Sequence, residues 1–273
     1  MRSSTQTDEL HPYAAEVLAG EGSAVSRLRL QVARIAPYYR VALLTGESGV
    51  GKETVAREMH RLSPMAQAQF SAIDAVDFGI AAARHGSRTI YLRGVDAVET
   101  SAQESLLRVL RALDRETRLI VASRSDLKGM VSAGRMRADL CETIAALDIR
   151  VPPLRERMEE FDQLAHALVE RSAPGATFHE DALTRMRQHG WPGNLEELWE
   201  LCRTVAQPQM SISTASLPQL ATPDTKAPAR LEAVVQRHVM DVLQICAGNK
   251  VRAAEMLGIS RSTLYRMLEA AAT

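Results

Sequence analysis

The stretch Val41–Glu53, VALLTGESGVGKE, constrains this chain more than any other. A short apolar run, Val41 to Leu44, breaks into Gly46, Glu47, Ser48, Gly49, Val50, Gly51, Lys52 and Glu53, and Thr54–Leu62 then reads as a helix. Strand, glycine loop and helix in that order are the context of a phosphate-binding P-loop. Glycines let successive backbone N–H groups turn toward a phosphate, the helix start adds partial positive charge, and Lys52 reaches the outer phosphates. One position departs from the general pattern. The residue after the lysine, usually a Ser or Thr whose hydroxyl meets Mg²⁺, is Glu53.

The neighbouring sequence supplies the frame. Apolar positions between Ala15 and Ala36 recur at helical spacing, broken at Gly20–Ser23, which predicts two helical pieces with Ser23 capping the second. Gln69–Ile73, Thr89–Leu92, Arg118–Ser123 and Leu147–Val151 read as further strands. Ser101–Leu113 and Asp126–Ala133 read as helices. Strands alternating with helices around a P-loop predict an α/β fold with a parallel sheet covered on both faces. Arg155–Arg171, Glu180–His189 and Asn194–Ala206 predict an all-helical second piece, with a turn at Gly190-Trp191-Pro192-Gly193. Residues 207–229 hold four prolines among Ser, Thr and Gln and read as a linker.

Net charge is zero but uneven: from Lys226 onward seven Lys and Arg face four acids, so the C-terminal part is the positive one. The three cysteines, Cys141, Cys202 and Cys246, form no Cys-x-x-Cys pair. They read as reduced thiols of a cytoplasmic protein. No apolar run reaches membrane-spanning length.

Residues 230–273 read as three helices. Arg230–Ile245 carries more apolar positions than one packing face needs, which fits either a dimer seam or packing on the two helices that follow. Asn249 caps the next helix, and Gly258-Ile259-Ser260 makes a turn into a last helix in which Leu264 faces inward. Arg261, Ser262, Thr263, Tyr265 and Arg266 then point outward from the first turns, as a recognition helix requires for base edges and phosphates of double-stranded DNA. Lys250 and Arg252 are placed for phosphate contacts.

The chain resembles the enhancer-binding activators of sigma-54 RNA polymerase, members of the AAA+ ATPases, from about Gly20 to Ala270. The resemblance rests on LLTGESGVGKE, SDLKGMVSAGRMRADL, VPPLRER, HGWPGN and GNKVRAAEMLGISRSTLYRML. Glu53 after the lysine is normal in that family. The resemblance implies an AAA+ core over residues 20–151 after a tail of residues 1–19, a helical lid over residues 152–206 and a Fis-like helix-turn-helix domain over residues 230–273. No separate sensory domain is expected before the core.

Several positions depart from the family. Its metal-holding Asp and water-positioning Glu correspond to Arg93 and Gly94. The polar Asn after the next strand corresponds to Arg124, one of two arginines offered to a neighbour corresponds to Thr143 while Arg137 remains, and the lid arginine corresponds to Glu196. An arginine finger alone is worth about 10³–10⁵ in rate. Asp96, in the turn after the strand, is poorly placed to substitute. The region between Lys52 and Thr89 is also shorter than in the family and lacks the loop that engages sigma-54. The expectation is a dimeric DNA-binding regulator on a degenerate scaffold. ATP or ADP would bind weakly and without hydrolysis, and Mg²⁺ is not expected. The rivals are an ATPase using Asp96 or Glu53, and a body that docks a sensor protein or second messenger; higher oligomers stay open.

Overall fold

Alternation decides how the sheet is buried. In β1 (Val41–Thr45) Ala42 and Leu44 join one apolar cluster and Leu43 the other. In β4 (Arg118–Ser123) Ile120 and Ala122 divide from Leu119 and Val121 in the same way. Successive side chains of a strand point to opposite faces, so a run apolar throughout needs cover on both. The computed structural model describes residues 12–78, 89–114 and 116–218, together with Lys250, Gly258, Ile259 and Leu264.

Five parallel strands lie in the order β2-β3-β4-β1-β5, with β2 at Phe70–Asp74, β3 at Thr89–Arg93 and β5 at Asp148–Arg150. One face is covered by α1 (Ala14–Val17), α2 (Ser23–Ile35) and α3 (Lys52–Arg61). The other is covered by α4 (Thr100–Ala112), α5 (Leu127–Ser132) and α6 (Ala138–Ile144). Helix α6 is absent from the sequence reading: at seven residues it is too short to show a full period.

The lid packs into the first face, and Phe161, Trp191 and Leu198 share the core that holds Leu44 and Ile120. Its helices are α7 (Phe161–Ser172), α8 (Glu180–Arg187) and α9 (Asn194–Val205). Four expectations are corrected. The lid is not all-helical, because β6 (Thr177–Phe178) pairs in parallel with β7 (Ser211–Ile212). The stretch read as linker therefore begins with a paired strand, and Ile212 is fully buried. The helix expected over Arg155–Arg171 starts only at Phe161; before it run two 3₁₀ turns, Leu154–Glu156 and Met158–Glu160. Ser23 is not a side-chain cap either. The N–H groups of Gly22 and Ser23 are met by the carboxylates of Glu160 and Glu159, each at 3.0 Å. Long-range acids replace the local cap, and both suit the positive end of a helix.

Met1–Ala221 and Thr222–Thr273 form separate compact units. In the second, Gly258 holds the left-handed turn at φ +66, Leu264 is fully buried, Ile259 is half-buried and Lys250 is exposed and helical. The seam over Arg230–Ile245, the Asn249 cap, and Arg252, Arg261, Ser262, Thr263, Tyr265 and Arg266 lie outside the described residues.

Candidate nucleotide site

The P-loop leaves β1 at the carboxyl edge of the parallel sheet, where open α/β sheets bind ligands. A cleft of about 420 Å³ opens there. Ser48, Gly49, Gly51, Lys52 and Glu53 line it with Asp74, Arg93 and Arg124 from the strand ends, Tyr13 before α1, and Glu196 from the lid. Of the other P-loop residues, Gly46 and Glu47 border a second cleft, and Val50 is buried in the core.

Two glycines explain how tightly the loop is enclosed. Gly49 has φ +72, and a Cβ on it would overlap the carbonyl oxygen of Gly193 in the lid. Gly51 has φ +88, and a Cβ there would overlap Val17 of α1. A side chain at either position would be strained and would push away a neighbouring element.

The lid is fastened to this loop by hydrogen bonds. Asn194, at φ +55 and fully buried, donates from Nδ2 to the Ser48 carbonyl at 2.8 Å and to Glu47 Oε2 at 3.2 Å. Its Oδ1 accepts from Leu154 N–H at 2.8 Å. Leu195 N–H donates to the Gly49 carbonyl at 3.2 Å. Glu47 also accepts both arms of the Arg155 guanidinium, one at 2.8 Å. Those bonds, first the one from Arg155, hold its carboxyl down to about 2. Both HGWPGN and VPPLRER thus converge on the P-loop.

A second clamp holds the N-terminal helix. Arg157 is buried, paired to Glu160 at 2.6 Å, and donates to the carbonyls of Val17, Glu16 and Ala19 at the end of α1. A cation is favoured at that negative helix end.

Lys52 donates to the carbonyls of Gly46 and Glu47, both at 2.7 Å. Burial pushes its pKa down to about 8, partly opposed by Asp96. Arg93, at the end of β3, lies 3.1 Å from Asp74 and 3.6 Å from Glu53. Glu53 is also bonded to Arg57 at 2.9 Å. Arg124 lies 3.8 Å from Asp96, whose carboxylate accepts from Arg124 N–H at 3.3 Å and Ser125 Oγ at 3.0 Å. Asp96 sits in the 3₁₀ turn Val95–Ala97, outside the cleft lining, and Gly94 before it has φ +66. Arg137 and Thr143 are also away from the cleft. Arg137 is forked onto Asp139, and Thr143 Oγ1 donates to the Asp139 carbonyl.

These placements test which groups the cleft fits. A glycine-lined turn ahead of a helix, with Lys52 at its first position, suits the phosphates of ATP or ADP. Mg²⁺ binds through one or two carboxylates together with substrate phosphates. The carboxylates at the strand ends and helix start, Asp74, Asp96 and Glu53, each have an arginine beside them. The donor set does not fit the metal.

Tyr13 and Asp74 were not singled out from the sequence. Burial, with Glu196 and Glu53 nearby, pushes the Tyr13 hydroxyl up to about 12. Asp74, as the acid closing a strand, carried a signal that strand-end logic could have used.

Comparison with known proteins follows the same division. Residues 19–154 match the sigma-54 interaction domain, and residues 230–270 match the bacterial regulatory protein Fis family. The C4-dicarboxylate transport transcriptional regulatory protein DctD of Pseudomonas aeruginosa is 32% identical over 292 aligned residues, which cover 92% of this chain. The chain spans 63% of the length of that relative. Crystal structures of NtrX from Brucella abortus, one in complex with ATP and one with ADP, are similar at TM-scores of 0.66 and 0.67. Each is 25% identical, and the matches cover 93% and 95% of this chain and 70% of those chains.

Proposed function

The chain belongs to the sigma-54 enhancer-binding family, and from that premise we propose that it is a DNA-binding transcription regulator whose P-loop body holds a nucleotide without hydrolysing it. The observation that carries this reading is Arg93. The family's metal-holding carboxylate corresponds to this position, and here a guanidinium lies between Glu53 and Asp74. A cation there opposes Mg²⁺, and Gly94 beside it has no side chain to orient water. Asp96 and Glu53, which a rearranged ATPase would have to use, are both engaged with arginines.

Nucleotide binding is supported by the P-loop itself and by the ATP and ADP complexes of the NtrX neighbour. DNA binding is supported by the Fis-family match over residues 230–270 and by the turn geometry at Gly258 with Leu264 buried behind it. A regulator of this kind acts by occupying promoter DNA as a dimer, not by remodelling sigma-54 polymerase.

The test pairs two titrations on the full chain. Binding of ATP is followed with phosphate release recorded alongside, and binding of promoter DNA fragments is compared for wild type and Arg261→Ala. Nucleotide binding without release, with Arg261-dependent DNA binding, is the expected result. Steady phosphate release abolished by Lys52→Ala would make the protein a motor and overturn the reading.

A further inference from the structure

We propose that the cleft takes nucleotide phosphates free of divalent metal, with Arg93 standing as the counter-charge where the metal would sit, so that Mg²⁺ competes with binding instead of supporting it. This rests on the reading of the P-loop as a nucleotide site and names the form of ligand it selects.

The arrangement comes from strand register. Asp74 of β2 and Arg93 of β3 are register partners, and β4, the next strand along, delivers Arg124 just past its end. With Lys52 at the start of α3, three cations line one cleft. Each phosphate on a nucleotide needs such neutralisation, which Mg²⁺ ordinarily supplies.

The two arginines are held unlike the molecule's structural arginines. Arg155, Arg150 and Arg187 are forked onto carboxylates through paired hydrogen bonds. Arg93 makes no hydrogen bond among the described residues. Its Nε is buried and unsatisfied, 3.1 Å from Asp74 but outside bonding geometry. Arg124 approaches Asp96 only to 3.8 Å and is more than half exposed. A guanidinium presents five donors in a planar fork and can serve a carboxylate and a phosphate together. Glu53 and Asp74 then fix the Arg93 side chain, and a phosphate oxygen completes its bonding. A Mg²⁺-chelated nucleotide brings a second cation against Arg93, which like-charge repulsion disfavours. The remaining acid lining the cleft, Glu196 on the lid, further disfavours excess phosphate charge on its own side, leaving the Lys52–Arg93–Arg124 wall for the phosphates.

The experiment uses the full chain stripped with EDTA. ADP and inorganic triphosphate are titrated calorimetrically in EDTA and in excess Mg²⁺ at matched ionic strength. Wild type is expected to bind several-fold tighter in EDTA. Arg93→Ala should lose about tenfold of the EDTA affinity, the scale of a charge-assisted bond. Arg93→Lys should keep the preference for EDTA, and Arg93→Asp should reverse it, with thermal melts checking that each variant folds. Tighter wild-type binding in Mg²⁺, an unchanged affinity in Arg93→Ala, or no binding in either buffer would overturn the inference. The first two outcomes leave nucleotide binding and the proposed function standing, whereas no binding in either buffer also removes the nucleotide part of that reading; Arg261-dependent DNA binding is tested separately.

Discussion

Asn194 of the lid donates to the Ser48 carbonyl of the P-loop at 2.8 Å, so the loop that would hold phosphate and the lid that would cover it share a hydrogen bond. The same side chain accepts from Leu154 N–H and reaches Glu47. One buried amide therefore joins the P-loop, the start of the lid and its last helix.

Replacing Asn194 by Ala should destabilise the fold by about 2–4 kcal/mol, from a buried Leu154 N–H left without its acceptor and a left-handed backbone that Ala tolerates poorly. Asn194→Gly relieves only the backbone part and should recover some of that loss. Asn194→Asp keeps an acceptor for Leu154 but turns a carboxylate oxygen toward the Ser48 carbonyl and ionised Glu47, and should be no better than Ala at pH 7. Urea unfolding of the three variants decides the order.

Lys52 should make phosphate binding depend on pH. Its pKa of about 8 in the free protein will rise once a phosphate sits beside it. Binding then takes up a proton between about pH 8 and the ordinary lysine value of 10.5, and affinity falls as pH rises through that window. Titration calorimetry at pH 9 in two buffers of different ionisation enthalpy should register the uptake, and Lys52→Met should abolish it. Without ligand the sign reverses: the unfolded lysine binds more protons than the folded one, so Lys52 makes stability rise with pH over the same range.

Gly49→Ala should separate the lid from the loop. The added Cβ meets the Gly193 carbonyl at φ +72, and the clash should cost about 1–3 kcal/mol. Nucleotide affinity should fall sharply while DNA binding by the second unit stays within error. Equal loss of both activities would contradict this placement of the lid.

Arg157→Met should destabilise strongly, by about 3–5 kcal/mol, because it leaves Glu160 buried without its partner. Adding Glu160→Gln should return part of that stability. A thermal melt of the single and double variants reads the coupling, which should exceed about 0.5 kcal/mol for groups in direct contact.

Much of the fold was legible because its signals are local. Strand β4 was read with the bounds the structure has, since a buried run between polar residues needs no partner to be recognised. The P-loop was legible for the same reason. The lid strands β6 and β7 were not: each is two residues long, and Ser211–Ile212 becomes a strand only because Thr177–Phe178 lies beside it. The Ser23 cap failed because Glu159 and Glu160, far along the chain, reach the helix start first.

The sequence by itself determined the phosphate loop, the alternating core, the turn at Gly258 and the presence of a cation at Arg93, because each is a matter of residue type at short spacing. Only the tertiary structure decided what Arg93 faces. Parallel pairing of β2 with β3 sets Asp74 beside it, and the start of α3 brings Glu53 from the other side. Charge at a single position is written in the chain, but its partners depend on register and packing between segments far apart along it.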